Sequence, residues 1–159
     1  LDKFMGFSEP GNNRQDSIFH GLKDIVQYAK KTDVVIVHDA ARPCVSLPLL
    51  TACVDACKEH DGALPVLPMK DTVYLGDGRQ ITSLLEREKI YAGQAPEAFV
   101  LGKYYEANIS LIPDKIEQIN GSTEPAIMAG MDIAMIPGDE GNFKITTQAD
   151  LDRFRTLVK

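Results

Sequence analysis

Apolar residues along the chain switch between a helical and an extended period. Ile18, Phe19, Leu22, Ile25 and Val26 recur at i, i+3, i+4 and i+7 and predict a helix over about residues 15–31. Val34-Val35-Ile36-Val37 is an unbroken β-branched run, the pattern of a strand buried on both faces. Ser46 is a plausible N-cap for a helix over 47–60 that Asp61-Gly62 ends, and residues 63–67 read as a second buried strand. The texture then changes. Residues 71–75 and 80–84 are β-prone and flank Gly76-Asp77-Gly78-Arg79, a strong short-range hairpin signal. This hairpin breaks the strand–helix alternation, so residues 71–86 are expected to project from the sheet as a β-arm. Such an arm is marginal alone and needs a surface to pack on, which a second subunit would supply.

Residues 90–95 resume as a strand, and Pro96-Glu97-Ala98-Phe99 leads into a helix carrying Tyr104, Tyr105 and Ala107. Ser122 or Thr123 can cap a short helix with Glu124 in its first turn and Gly130 at its end. Residues 132–136 form a strand, 142–146 a short extended piece, and Thr147 caps a last helix over 148–158. The expected fold is α/β: a mostly parallel sheet, helices on both faces and a projecting β-arm. Its 159 residues suffice for one domain with a sizeable core.

The first strand ends in His38-Asp39-Ala40-Ala41-Arg42-Pro43. Open α/β sheets place their ligand crevice at such carboxyl ends. A carboxylate and a guanidinium beside small residues suit a Mg²⁺-bound phosphate, because the metal takes hard oxygen ligands and arginine forks onto oxyanions. The plainer alternative is a surface loop whose Asp–Arg pair caps the next helix. His38 either acts at this edge or, as is commoner for a strand-end histidine, is held by packing. Lys144 lies just before a helix N-terminus, where a cation can meet an anionic ligand, though an exposed lysine is the simpler reading. Asp150 and Asp152 point in different directions on a helix and are read as solvent-facing.

Composition narrows the classes. The net charge is −6 and no basic cluster stands out, which argues against nucleic acid or an acidic membrane surface as partner. No apolar run approaches the roughly 20 residues of a membrane span. Cys44, Cys53 and Cys57 form no CxxC pair, so zinc is not expected. Cys53 and Cys57 fit one face of a helix as reduced residues, and the expected location is the cytoplasm. Neither a Walker loop, a GxGxxG nor a GxSxG elbow is present.

Several segments together resemble the 2-C-methyl-D-erythritol 4-phosphate cytidylyltransferase family. Gly11-Asn12-Asn13-Arg14-Gln15-Asp16-Ser17 with Gly21-Leu22 is similar to its GGxxRxxSVxxGL segment, and Val37-His38-Asp39-Ala40-Ala41-Arg42-Pro43 matches VHDAARP without a mismatch. Pro65-Val66 with Asp71-Thr72 is similar to PVxDT, residues 94–99 to QTPQxF, and residues 142–151 to NxKITxxxDL. The resemblance implies a Rossmann-like nucleotidyltransferase fold, CTP with Mg²⁺, a sugar-alcohol phosphate acceptor, and a homodimer interlocked through the β-arm. By position, Gly11, Asn12 and Ser17 would contact the cytidine. Asp39 would sit by the metal and phosphates, with Ala40 and Arg42 beside it. Thr72, Thr123 and Lys144 would hold the acceptor phosphate or its hydroxyls, and Arg87 would reach into the partner's site. Asp39, Arg42 and Lys144 are the expected catalytic set. Such transfer needs positioning and charge neutralisation more than covalent help.

Three departures qualify the resemblance. The family's opening strand and Gly-rich, cation-bearing triphosphate loop have no counterpart in residues 1–10, so the chain is expected to be truncated at its N-terminus and inactive alone. Ala95, in the acceptor pocket, stands where the family has Thr, and a lost hydroxyl there could mean a different acceptor. Pro10 replaces the first Gly of the pair and Glu97 the Gln of TPQ. Methylerythritol phosphate is therefore the leading acceptor and ribitol 5-phosphate the runner-up. A non-catalytic nucleotide-binding or dimerisation module is the alternative from another class.

Overall fold

The computed structural model describes residues 3–158. In chain order the elements are α1 (Arg14–Ile25), β1 (Val34–Val37), α2 (Leu47–Ala56), β2 (Gly62–Pro68), β3 (Tyr74–Gly76), β4 (Ile81–Leu84), β5 (Tyr91–Gly93), β6 (Glu97–Val100), α3 (Leu101–Ile109), α4 (Glu124–Met128), β7 (Ile133–Pro137) and α5 (Gln148–Leu157). Among the described residues no helix is long and apolar enough to cross a membrane.

β2 is the hub of the five-stranded main sheet. Its first residues pair with β6 (Gly62↔Phe99, Ala63↔Ala98) and its last with β5 (Val66↔Gly93 to Pro68↔Tyr91), both antiparallel. It also pairs in parallel with β7, from Gly62↔Ile133 to Val66↔Pro137. β6 pairs antiparallel with β1, from Val34↔Val100 to Val37↔Glu97. Thus β1, β2 and β7 share one direction, while β5 and β6 run against them. The sheet is more mixed than the alternation of the sequence predicts, because β6 separates β1 from β2 and leaves β2–β7 as the parallel ladder. The sequence reading also passed over β6 itself: a run of only four residues that enters α3 without a break carries no turn signal to mark it.

Residue parity along the strands sorts two cores. Val35 and Phe99 face one side, where they pack with Leu22 of α1, Leu101 and Tyr104 of α3 and Ala126 of α4. Ala63 and Ala98 face the other, against Cys53 of α2 and Cys57 just beyond it, with Val34 and Ile36 alongside. Helices therefore cover both faces. Phe99 and Tyr104 are fully buried and stacked with ring centroids 3.9 Å apart. Burying a side chain such as Phe99 is worth roughly 1.5–3 kcal/mol. Desolvation pushes the Cys53 thiol up to about 11, so it behaves as an inert packing group.

Helix ends follow local chemistry. Ser46 caps α2 by accepting from the Leu49 N–H. α2 stops at Ala56 rather than His60, because Cys57, Lys58 and Glu59 close with shorter i→i+3 bonds. α1 likewise ends at Ile25 and dissolves into turns. Thr147 and Asp150 form a reciprocal capping box on α5, so Asp150 is solvent-facing but has a structural job. Thr123 occupies the N-cap position of α4 without capping it; its hydroxyl is bonded elsewhere. The strands β3 and β4 form a separate two-stranded sheet turned by Asp77, whose Oδ1 accepts from the Arg79 and Gln80 N–H groups at 2.8 Å. Gly78, at φ +89°, supplies the left-handed residue of this turn.

Candidate functional site

The polar end of β1 gathers side chains from four parts of the chain. Asp39 lies two residues beyond Val37. Its backbone closes a turn, with the Arg42 N–H donating to the Asp39 carbonyl at 2.9 Å, and His38 Nε2 lies 3.0 Å from the Arg42 carbonyl. His38 is exposed, so this contact with the loop backbone, and not packing, is what engages it. Three cations surround the Asp39 carboxylate. Arg14 Nη2 lies 2.7 Å from Oδ1, Lys144 Nζ 3.3 Å from Oδ2 and Arg42 Nε 3.6 Å from Oδ2. Burial alone would raise the Asp39 pKa, but Arg14 and Lys144 outweigh it and hold the carboxyl below its ordinary value.

Each cation is held by its own element. Arg14 opens α1, and its Nη1 donates to Ser122 Oγ at 2.7 Å, tying α1 to the loop before α4. Arg42 is largely buried. Its Nη1 donates to the Asn142 carbonyl at 2.7 Å, while its Nε, also buried, has no hydrogen-bond partner. Lys144 sits in the loop between β7 and α5, which is fastened twice. The Ile145 N–H donates to the Ala41 carbonyl at 2.8 Å, and Asn142 Nδ2 donates to the Ala95 carbonyl at 2.7 Å. Gln94 braces the same loop, accepting from the Asp139 N–H and donating to the Asp139 carbonyl. A carboxylate surrounded in this way leaves more positive than negative charge at the sheet edge, and it can receive an oxyanion once the cations exchange partners.

The N-terminal segment has a close backbone fit. The Gly11 N–H donates to Ser17 Oγ at 2.9 Å, and Ser17 Oγ donates to the Asn13 carbonyl at 2.8 Å. A Cβ at Gly11 would come within 2.5 Å of the Asp16 carbonyl carbon and the Ser17 nitrogen, so only glycine fits. The Asn12 N–H is taken by Asp16 Oδ2 and its side chain by Glu117. Behind this segment runs a buried polar chain. Gln15 Nε2 donates to Asn108 Oδ1 at 2.6 Å and to the Tyr104 hydroxyl at 3.2 Å, and Tyr104 donates to the Ser122 carbonyl at 2.6 Å. Desolvation pushes the Tyr104 hydroxyl up to about 12, so it stays a neutral donor.

The structure thus joins Asp39, Arg42 and Lys144 in direct contact, with Ala40 in the same loop. Thr123 follows Ser122 and so sits one residue from Arg14's partner; its hydroxyl donates to Glu97 Oε2 at 2.8 Å. Ala95 is buried and offers its carbonyl rather than its side chain to the network. Thr72 is exposed in the loop between β2 and β3. Arg87 bonds at the base of the arm, to the Lys70 carbonyl at 3.4 Å and near Glu88 at 3.6 Å, and not to the Asp39 cluster. Arg14, Gln15, Gln94 and Asn142 belong to this region although the sequence pattern gives none of them a role. Arg14 falls in the same segment as Gly11 and Ser17, and that position was the available signal.

The fold defines the class: an α/β domain of the nucleotidyltransferase fold. The crystal structure of 2-C-methyl-D-erythritol 4-phosphate cytidylyltransferase from Thermus thermophilus superimposes with a TM-score of 0.79 at 28% identity, over 94% of this chain and 71% of that one. The Francisella tularensis 2-C-methyl-D-erythritol 4-phosphate cytidylyltransferase gives 0.83 at 25% identity, over 92% and 68%. A family model described as 2-C-methyl-D-erythritol 4-phosphate cytidylyltransferase matches residues 4–159, and the chain belongs to that family. The Shouchella clausii cytidylyltransferase of that name is 32% identical over all of this chain and 67% of its own length. The bifunctional enzyme IspD/IspF of Granulibacter bethesdensis is 38% identical over 90% of this chain. The chain spans 36% of that bifunctional relative and about two thirds of the single-function one.

Proposed function

We propose that the protein acts as a cytidylyltransferase, joining CTP to 2-C-methyl-D-erythritol 4-phosphate with release of pyrophosphate. The observation that carries this reading is the Asp39 carboxylate in contact with Arg14, Arg42 and Lys144 at the carboxyl end of β1. A phosphate oxygen of the acceptor attacks the α-phosphorus of CTP, and the bond to the bridging oxygen of the leaving pyrophosphate breaks. The protein's part is to align the two anions and offset their charge. Lys144, which is half exposed, is suited to the acceptor phosphate, and Arg42, held against Asp39, places its charge beside the α-phosphate. Gly11, Asn12 and Ser17 are suited to the cytosine end as a close backbone wall, whose shape is fixed by the hydrogen bonds that their own donors make within the protein.

Magnesium fits this donor set only in one manner. Among the described residues no group of three or more His, Cys, Asp or Glu side chains could form a metal cage. Asp39 is a single hard oxygen donor, and magnesium is commonly held by one or two carboxylates together with substrate phosphates. Asp39 would hold the ion jointly with the triphosphate, and the ion would supply charge neutralisation there.

The homodimer and the cytoplasmic location belong to the same reading. Tyr74, Leu75, Ile81 and Leu84 leave the arm with exposed apolar side chains, which suits a second copy as its packing surface. Residues 71–86 are accordingly read as the dimerisation arm of one nucleotidyltransferase domain, and Arg87 at its base is poised to act across that interface. Three free cysteines accord with a reducing compartment. The test is pyrophosphate release by the full-length gene product with CTP and Mg²⁺, offering methylerythritol 4-phosphate and ribitol 5-phosphate in parallel. Turnover with the first is expected. Turnover with ribitol 5-phosphate alone would transfer the assignment to that acceptor, and silence with both in a folded dimer would favour a non-catalytic nucleotide-binding module.

A further inference from the structure

Arg14 holds Asp39 with one arm of its guanidinium and is itself held by the other. Nη2 lies 2.7 Å from Asp39 Oδ1, and Nη1 donates to Ser122 Oγ at 2.7 Å. The side chain is 40% exposed, so water competes for its bonds. A long, rotatable stem tied at one point pivots, whereas a planar fork tied at two points keeps one orientation. The aim of Arg14 therefore depends on where α1 begins and on where Ser122 stands.

Both positions meet at one buried hydroxyl. Gln15, the next residue of α1, is buried, and its Nε2 donates to the Tyr104 hydroxyl at 3.2 Å and to Asn108 Oδ1 at 2.6 Å. The same hydroxyl donates to the Ser122 carbonyl at 2.6 Å. Tyr104 is fully buried, and its ring stacks on Phe99, which lies opposite Val35 in the strand that leads to Asp39. A phenol has one proton to give and lone pairs to receive. Here the proton goes to Ser122 and a lone pair takes the amide of Gln15. The ring alone supplies the packing with Leu22, Leu101 and Phe99. The hydroxyl is surplus to that packing, and it ties the root of Arg14 to the residue that Arg14 leans on.

We propose that Tyr104 is a positioning residue for the transfer reaction: its hydroxyl fixes the first turn of α1 against the Ser122 backbone and so holds the Arg14 fork in register with Asp39. This inference rests on the cytidylyltransferase reading. It gives Tyr104 no contact with either substrate. Gln15 and Ser122 carry its effect outward, one through the backbone of α1 and the other through its own hydroxyl. Removing the Tyr104 hydroxyl leaves Arg14 within reach of both partners but frees their separation to vary, and small misplacements at a reacting centre are costly in rate.

The test is a double-mutant cycle on the full-length protein, read as pyrophosphate release with CTP, Mg²⁺ and whichever of methylerythritol 4-phosphate and ribitol 5-phosphate turns over. Tyr104→Phe keeps the ring and its stacking, and is expected to lower kcat about five- to tenfold with both KM values within about twofold. Ser122→Ala, which removes the second tie of the fork, should do the same. In an Arg14→Ala background neither change should lower kcat by more than about a further twofold, because the group they aim is gone. A loss of equal size with and without Arg14 is what a merely structural hydroxyl predicts, and it overturns the proposal. A folded Tyr104→Phe protein with wild-type kcat overturns it too. Failure of wild type to turn over any sugar-alcohol phosphate would instead remove the underlying reading, and the positioning is then judged on the guanidinium alone. Resolved Arg14 Nη1 and Nη2 resonances in the nitrogen NMR spectrum of wild type, merged in Tyr104→Phe, support it. Merged resonances in wild type, or resolved ones that persist in Tyr104→Phe, overturn it.

Discussion

Arg14, at the first turn of α1, places its Nη2 2.7 Å from Oδ1 of Asp39, at the end of β1. The pair joins a helix start to a strand end across 25 residues of sequence, and it leaves the other carboxylate oxygen to Lys144 and Arg42. Both partners are at least partly open to solvent, so the pair adds little stability, about 0–1 kcal/mol. Its value lies in aim. Arg14→Ala in the full-length protein is expected to lower kcat by about 10- to 100-fold while Tm moves little, and Asp39→Asn to lower it by about 100- to 1000-fold, the range of a lost electrostatic stabiliser. Steady-state pyrophosphate release checks both. Unchanged turnover in Asp39→Asn would sink the assignment of this site.

Gly11 makes a sharper test of the nucleotide end. An added methyl would meet backbone atoms of Asp16 and Ser17 at 2.5 Å, and backbone cannot rotate away as a side chain can. Gly11→Ala is therefore expected to displace the segment, break the Gly11 N–H bond to Ser17 and raise the KM for CTP by tenfold or more. The far side of the sheet should be unaffected, which backbone amide shifts of α2 and β7 would report. An unchanged KM for CTP would remove residues 11–17 from the nucleotide site.

Asn142 carries no exposed surface, and its Nδ2 donates to the Ala95 carbonyl at 2.7 Å. Asn142→Ala leaves that carbonyl unpaired in the interior at a cost of about 1–3 kcal/mol. For a domain of this size each kcal/mol lowers Tm by roughly 2–4 °C. Because the Lys144 loop loses a fastening, the KM for the acceptor should rise along with the fall in Tm. A variant with lowered Tm and unchanged acceptor KM would mean that Gln94 and the Ile145–Ala41 bond hold Lys144 on their own.

Much of this arrangement was legible in the chain, for reasons that differ by residue. The β1 run and its polar end stand out because four β-branched residues stop abruptly at charge, so Asp39 and Arg42 could be placed at a sheet edge. The capping of α2 by Ser46 and the hairpin around Asp77 and Gly78 are local chemistry, read from a few residues. The antiparallel insertion of β6 is not local. Its four residues pair with β1, some 63 residues earlier, and nothing within them encodes that partner. The same limit hid the link from Arg14 to Asp39 and Ser122, and it led Thr123 to be read as a cap when its partner is Glu97.

The arm yields a prediction about assembly. Ile81 and Leu84 are 66% and 71% exposed on a two-stranded sheet that is marginal in isolation. If a second copy covers them, Ile81→Asp with Leu84→Asp should convert the full-length protein from dimer to monomer by light scattering, with the far-UV spectrum retained. Turnover should fall with dimer content if Arg87 serves the neighbouring site. A double variant that stays dimeric would show that another surface holds the copies together.

Acid sensitivity should begin at the start of α5. Asp150 accepts from the Thr146 and Thr147 N–H groups and from both hydroxyls, and these bonds hold its carboxyl down to about 2. A group whose pKa is lower folded than unfolded stabilises the fold above its ordinary value, near pH 4, and this contribution is lost as the pH falls toward about 2. Asp39 acts in the same direction through Arg14 and Lys144, although burial opposes it. Asp150→Asn should therefore flatten the loss of stability between about pH 4 and pH 2, because an amide does not titrate. Carboxyl NMR titration of the wild type should put the Asp150 midpoint near 2, with the Thr146 and Thr147 amide shifts following it. A midpoint at the ordinary carboxylate value would mean that the capping box is open in solution. The docking of α5 behind Lys144 would then have to come from the stacking of Arg153 on Phe143, where the guanidinium lies 4.0 Å from the ring centroid.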